Sequence, residues 1–294
     1  MDKGTKGKPS ITVVLHWLLR VLQGALIGAG AILPGISGGV LCVIFGIYQP
    51  MMSLLAHPVR TFKKNVKLLL PVLIGCLLGF LGLARLVEWL FKASSNLAIW
   101  LFIGLIVGMI PSLFKEAGKE GRSMNAWIAF AVSLIMILAI LVFLENAVVL
   151  NIRPNIWWYL VCGLLWGISM VVPGLSSSSF IIFLGLYESM VAGIADLSMQ
   201  VIIPIMVGVV LLVLVSARPI NYLFKKHYTV AYHMVLGFVF ASTVIIIPRQ
   251  YEGIGDILQC AGCFMVGFAI AWLIDKAGQK LQAKETDITA VFHE

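Results

Sequence analysis

The chain has 294 residues, of which 61% are hydrophobic and only 12% are charged. A soluble globular domain has about 45–50% apolar and about 25% charged residues, so this composition excludes an ordinary water-soluble protein. The formal net charge of +8 does not indicate nucleic-acid binding, because the basic residues fall in short clusters between apolar runs. Such clusters orient membrane spans. At about 20 residues per span, the chain has room for roughly six to eight spans and for no separate soluble domain.

Two kinds of apolar segment, one interrupted region and three uninterrupted spans, occur in the same order in each half. The first half has a long apolar region at 17–55, interrupted by PGISGG, and then predicted spans at 68–90, 97–114 and 126–144. The second half has an equivalent region at 157–194, interrupted by PGLSSSS, and predicted spans at 201–217, 230–247 and 257–274. Polar breaks at membrane depth are tolerated only where they are buried in protein or line a polar cavity. We therefore predict that each interrupted region is a re-entrant hairpin of two half-helices.

The two halves are copies of each other. The segment GALIGAGAILPGISGGVLCVIFGIYQ at 24–49 aligns without gaps with GLLWGISMVVPGLSSSSFIIFLGLYE at 163–188. The match continues in LLLPVLIG from Leu68 and VIIPIMVG from Val201, and in the pairs Ala84-Arg85 and Ala217-Arg218. A match of this extent indicates duplication of a whole half. We predict an all-α integral membrane fold of two repeats, 1–150 and 151–294, each a broken hairpin followed by three transmembrane helices.

The basic clusters predict the orientation of these repeats. If each hairpin enters and leaves on one side, each half crosses the membrane three times and the second half is inverted. That count places the basic clusters at 3–8, 60–67, 115–122, 225–226 and 276–284 on one side, which the positive-inside rule makes cytoplasmic. Both termini then lie in the cytoplasm. If each broken region crossed once, the clusters would be divided between the two faces, so we favour the hairpin interpretation.

Inverted repeats with broken helices are a recurring architecture of secondary transporters, so the turns of the two hairpins are the predicted substrate-binding site. Each second arm begins at a Gly/Ser turn, and the first N–H groups of a helix carry the positive end of its dipole, which suits a phosphate or carboxylate. The candidate turn residues are Pro34, Gly35, Ser37, Gly38 and Gly39 in the first half and Pro173, Gly174, Ser176, Ser177, Ser178 and Ser179 in the second. Alternatively, small residues only allow close helix packing, which we favour for Gly24, Gly28, Gly163 and Gly167.

Three arginines and one glutamate add charge near these hairpins. Arg85 and Arg218 lie at equivalent places near the ends of repeat-related spans, where a cation is costly unless it reaches the interface or meets an anion. Two equivalent arginines suit one anionic head group. The alternative is that both mark the membrane surface or pair locally, Arg85 with Glu88. Arg20 either contributes a further contact or anchors its helix at the interface, and Glu188 either exchanges a proton during transport or is a solvated loop residue.

No catalytic pattern accompanies these features. The five histidines have no metal-ligand spacing, and the chain has no Walker lysine motif and no G-x-S-x-G nucleophile elbow. The sequence therefore predicts no catalytic residue, no metal and no cofactor. Energy for transport would come from an ion gradient, with a coupling proton or another ion as partner.

The paired segments PGISGGVLCVIFGIYQ and PGLSSSSFIIFLGLYE resemble the twin signatures of the bacterial polyprenyl-phosphate transporter family. The resemblance covers nearly the whole chain and implies a translocase that carries undecaprenyl phosphate, the carrier lipid of peptidoglycan and other envelope glycans, from the outer to the inner leaflet of the bacterial cell membrane. Two departures are that Gln49 replaces the glutamate of the first signature and that Ser177 and Ser178 replace glycines. The first departure counts against a proton mechanism that needs two carboxylates.

Other functions remain as alternatives at this point. Only the resemblance supplies the lipid tail, so a carrier of a small soluble anion is the main alternative. A membrane-embedded lipid phosphatase is a less favoured one, because it would need a nucleophile or metal constellation that the sequence does not show. A purely structural membrane protein would not need two matched polar breaks.

Overall fold

The protein is described by a computed structural model over residues 11–33, 41–42, 45–47, 50, 58–147, 152–172 and 175–291. Over these residues the chain is all-helical and has no β-strand, as the sequence predicts. In chain order the helices are α1 (Ile11–Ile32), α2 (Pro58–Ala93), α3 (Ser95–Ala117), α4 (Met124–Ala147), α5 (Ile156–Val171), α6 (Ser178–Phe183), α7 (Tyr187–Ala195), α8 (Met199–Lys226), α9 (Tyr228–Ile245) and α10 (Ile254–Val291).

Six stretches of the described helices are long and apolar enough to cross a membrane. They are Leu68–Ala93, Ser95–Ala117, Met124–Leu144, Met199–Ser216, Tyr228–Ile245 and Ile254–Ala277, and they coincide with the six predicted spans to within a few residues. Two shorter apolar stretches, Trp17–Gly30 and Ile156–Val171, fall where the first arms of the hairpins are predicted. At 1.5 Å per residue each is about 20–25 Å long, which is less than the roughly 30 Å hydrocarbon core.

Two helices extend well beyond the apolar segments that predict them. Helix α8 continues from the predicted end at residue 217 to Lys226, through Pro219, and α10 continues from residue 274 to Val291. Hydropathy marks only the part of a helix that lies in lipid, whereas backbone hydrogen bonding continues into water until a cap or breaker ends it. The polar continuations were therefore invisible to a search for apolar runs.

The second interrupted region consists of three helices where two half-helices were predicted. The first arm is α5, whose N-cap Asn155 accepts hydrogen bonds from the N–H groups of Trp157 and Trp158. The second arm is divided into the six-residue α6 and the nine-residue α7. The division is at Gly185, whose φ of 69° lies in the left-handed region that glycine adopts without steric cost. The prediction of one continuous second arm is therefore wrong.

The same turn occurs at the equivalent place in the first half. Gly46 has a φ of 64°, and the Ile47 N–H donates to the Cys42 carbonyl over 2.8 Å. In the second half the Leu186 N–H donates to the Ile181 carbonyl over 3.1 Å. Both residues that follow the glycines, Ile47 and Leu186, are fully buried. The duplication seen in the sequence thus extends to the backbone conformation of these turns.

The described chain forms two compact units. One contains α1 and α2 up to Leu83, together with α10 from Lys280, and the other contains α2 from Ala84, all of α3 to α9, and α10 up to Gln279. Within the second unit α5 packs extensively against α8, and α4 packs extensively against α9.

One helix pair in each unit packs through glycines at repeat-equivalent positions. In the first unit, a Cβ added at Gly24 would collide with the Val72 carbonyl oxygen, and one at Gly75 with the Val21 carbonyl oxygen. In the second unit the equivalent collisions are of Gly163 with Ile205 and of Gly208 with Leu160. Only glycine permits two helix backbones to approach so closely. This geometry supports the packing interpretation of the outer glycines.

Candidate substrate-binding site

Part of the predicted site lies outside the described residues. This applies to Pro34, Gly35, Ser37, Gly38 and Gly39 of the first turn and to Pro173 and Gly174 of the second. The second turn can be described from Leu175 onward.

The four consecutive serines of the second turn are not equally accessible. Ser177, Ser178 and Ser179 are buried, with at most 5% of their surface exposed, whereas Ser176 is half-buried. The Ser177 N–H donates to the Ser169 hydroxyl oxygen over 2.7 Å, and the Ser169 hydroxyl donates to the Ser177 hydroxyl oxygen over 2.7 Å. The Ser177 N–H is therefore not available to a ligand, and its hydrogen bond ties the start of α6 to α5. Of the four hydroxyls, that of Ser176 is the one best placed to meet a ligand.

Sequence reasoning missed Ser169. Its repeat equivalent is Gly30, so the comparison of the halves gave no signal for it. A single serine in an apolar helix is usually explained by a hydrogen bond within its own helix. Here the fold brings it to the start of α6, eight residues further along the chain.

Arg85 lies in an ionic cluster at the C-terminal end of α2. Its Nη1 is 2.7 Å from Asp196 Oδ1 and 3.4 Å from Glu88 Oε2. The buried Glu88 also binds Lys92, whose Nζ lies 2.7 Å from Glu88 Oε1. The cluster holds two cations and two anions, so its formal charges cancel. The sequence indicated the contact with Glu88, but Asp196 is 111 residues away and gave no local signal.

Arg218 has different surroundings from Arg85. It is exposed on α8, and among the described residues it forms no ion pair. Gapless extension of the repeat aligns ARLVEWLFK at 84–92 with ARPINYLFK at 217–225, which puts Asn221 in the place of Glu88. The two equivalent arginines therefore differ in the negative charge available to them.

The remaining two charged candidates have local roles in this structure. Arg20 is half-buried in α1 and its Nη1 donates to Gln23 Oε1 over 3.0 Å. Glu188 is exposed in the first turn of α7, where a carboxylate is stabilised by the positive end of the helix dipole.

The tyrosine of the second signature positions α7. Tyr187 is 2% exposed, and its ring centroid lies 5.7 Å from that of Phe91 and 5.5 Å from that of Phe102. Aromatic rings in tilted or edge-to-face contact at such distances attract each other beyond the area they bury. The cluster fixes the start of α7 against the end of α2, six residues beyond Arg85.

Within the described residues, no group of three or more His, Cys, Asp or Glu side chains is arranged to hold a metal ion. What these residues offer chemically is cationic hydrogen-bond donors on an apolar helical body, and such groups bind an anion.

Six candidate spans define the class of protein as a multi-pass membrane protein. A family model described as VCA0040-like: Undecaprenyl phosphate translocase-like matches residues 27–256, and the chain belongs to this family.

Two curated relatives are similar along most of their length. A polyprenyl-phosphate transporter of Staphylococcus aureus (strain NCTC 8325 / PS 47) is 23% identical over 266 residues, which cover 86% of this chain and 94% of the relative. A polyprenyl-phosphate transporter of Vibrio cholerae serotype O1 (strain ATCC 39315 / El Tor Inaba N16961) is 21% identical over 252 residues, which cover 80% of this chain and 79% of the relative. No solved structure matches the chain.

Proposed function

We propose that this protein is a secondary transporter that moves undecaprenyl or another polyprenyl phosphate from the outer to the inner leaflet of the bacterial cell membrane. The returned carrier lipid would then re-enter the synthesis of peptidoglycan and other envelope glycans. The observation that carries the proposal is membership of a translocase-like family across residues 27–256, with two relatives named for polyprenyl-phosphate transport.

The architecture proposed for this function is an inverted repeat with two re-entrant hairpins and both termini in the cytoplasm. Its support is the recurrence of the glycine-to-carbonyl approaches and of the left-handed turns at Gly46 and Gly185. The apolar stretches of the two first arms, Trp17–Gly30 in α1 and Ile156–Val171 in α5, are shorter than the hydrocarbon core and suit half-helices that end inside the membrane. Inverted repeats with broken helices are a recurring architecture of secondary transporters.

The phosphate is proposed to bind the serine-lined turns and the repeat-related arginines. Ser176 is the accessible hydroxyl of the second turn, and Arg85 and Arg218 are both exposed cations. An arginine holds two phosphate oxygens with its planar fork and stays charged at physiological pH, so it suits a phosphate at an apolar boundary. Glu188, exposed in α7, is the proposed site for a coupling proton.

Leaflet exchange in proteoliposomes tests the proposal. Purified protein is reconstituted with labelled undecaprenyl phosphate, and the fraction of lipid accessible to an added impermeant probe is followed with time. We expect exchange above the rate in protein-free liposomes and competition by unlabelled polyprenyl phosphate. Transport of a soluble phosphate ester without exchange of the lipid would instead identify a carrier of small anions. Release of inorganic phosphate from the lipid would identify a phosphatase.

A further inference from the structure

The proposed function asks Arg85 to bind a phosphate, yet in this structure Arg85 already has an anion. Asp196, at the C-terminal end of α7, places Oδ1 2.7 Å from Arg85 Nη1. The inference drawn from this contact rests on the proposed function, because it concerns which head groups Arg85 accepts.

The ion pair contributes little to folding. Both side chains are 59% exposed, and an exposed ion pair is weak because water screens it and two side chains must be ordered. Asp196 also lies at the negative end of the α7 dipole, where a carboxylate is disfavoured. The next residue, Leu197, has a φ of 54°, a left-handed conformation that costs energy for a residue other than glycine. The backbone thus presents this carboxylate to Arg85 at a local cost.

The position of the carboxylate is nevertheless well defined. Tyr187 holds the start of α7 in the aromatic cluster with Phe91 of α2 and Phe102 of α3. The second carboxylate near Arg85, that of Glu88, is buried and bound to Lys92, so it is not free to leave. Asp196 is therefore the exchangeable anion of the cluster, and a ligand that takes the Nη1 donors of Arg85 must displace it.

We propose that Asp196 is a specificity-determining residue, which occupies Arg85 in place of phosphate and so sets the minimum charge of an accepted head group. A phosphate monoester carries a charge of about −1.5 to −2 at neutral pH, whereas a phosphodiester carries a charge of about −1. Replacing a carboxylate by another monoanion gains no Coulomb energy, while replacing it by a dianion does. The bilayer is rich in phosphodiester lipids. We call the Asp196 carboxylate on Arg85 the carboxylate guard, because it makes the arginine reject the abundant diester and accept the scarce monoester.

The duplication supplies an internal comparison. At the place equivalent to Glu88 the other half has Asn221, and the segment 50–67, which corresponds to the segment around Asp196, contains no Asp or Glu. Arg218 therefore lacks the equivalent of the carboxylate guard in its sequence. The guard belongs to the Arg85 side only, which the basic clusters place at the outer leaflet.

The test is binding of two probes that differ only in head-group charge, farnesyl monophosphate and its methyl diester. The full-length protein in nanodiscs of neutral lipid is titrated at a pH above the second phosphate pKa, about 6, with intrinsic tryptophan fluorescence as readout. We expect wild-type protein to prefer the monoester, and Asp196→Asn to lose about fivefold of this preference by binding the diester more tightly. Asp196→Glu keeps the charge and should keep the preference. Asp275→Asn, which removes the same charge from α10, should match wild type.

An Asp196→Asn protein that binds the monoester and prefers it as strongly as wild type does would overturn the role of Asp196 and leave the transport function standing. Wild-type protein that binds neither probe would overturn both. If Asp196→Asn does not fold, Leu197→Gly is added to it, since glycine adopts the φ of 54° at this position without steric cost. The double variant should lose the preference for the monoester, and a preference equal to that of Leu197→Gly alone would contradict the guard mechanism.

Discussion

At the scale of single residues, the two equivalent arginines differ most in the charged side chains that lie next to them. Arg85 is neutralised by Asp196 and Glu88, whereas Arg218 is exposed and forms no ion pair within the described chain. A phosphate therefore meets no intramolecular competitor among these residues at Arg218. This makes Arg218 the residue at which head-group binding is most directly tested.

Arg218→Lys should slow leaflet exchange of undecaprenyl phosphate about tenfold, because a lysine gives one point contact where the guanidinium gives two hydrogen bonds to a charged group. Arg218→Ala should slow it further. The matched control is Lys226→Ala, which removes an exposed cation from the same helix. Equal rates in wild type, Arg218→Lys and Arg218→Ala would show that this arginine only marks the membrane surface.

At the scale of helices, the glycine contacts make a prediction about stability. In Gly163→Ala the new methyl group collides with the Ile205 backbone carbonyl, which moves only if α5 and α8 separate, so we expect a loss of about 1–3 kcal/mol. Gly82→Ala in α2 is the control, since a Cβ there meets no atom of the described residues within 4 Å. It should be neutral or raise stability by up to about 1 kcal/mol through helix propensity. The thermal unfolding midpoint in detergent measures both changes, and equal midpoints would contradict the close packing.

The helices were also the part of the fold that sequence could predict best. Spans such as 97–114 and 126–144 were found because lipid demands about 20 apolar residues in a row. The division of the second arm was missed because a six-residue helix is too short to show a period, and Gly185 resembles the end of a half-helix. The pairing of Arg85 with Asp196 was missed for another reason. It depends on how α7 folds back on α2, and no local pattern encodes that.

At the scale of the whole molecule, the distribution of charge predicts topology. Single cysteines are introduced into a background lacking Cys42, Cys76, Cys162, Cys260 and Cys263 and are labelled in intact cells with an impermeant thiol reagent. A cysteine at Lys119 should be protected and one at Asp196 labelled, since the first lies in a basic cluster and the second beside the acidic, lysine-poor segments. Labelling of the cysteine at position 119 in intact cells would contradict the inverted arrangement. So would a cysteine at position 196 that reacts only after the cell membrane itself has been permeabilised.

The glycine contacts also have a mechanical consequence. The helix backbones touch at Gly163 and Ile205 in one pair and at Gly24 and Val72 in the other. The helices of such a pair cannot slide past each other without a collision of carbonyl groups, so each pair behaves as a rigid body. The glycines at 46 and 185 are the opposite case, because a Cβ added at either one meets no atom of the described residues within 4 Å and the backbone there turns within a single residue. They are suited to act as hinges. During a conformational change each helix pair would move as a rigid body, and the change in backbone angle would occur at the hinge glycines.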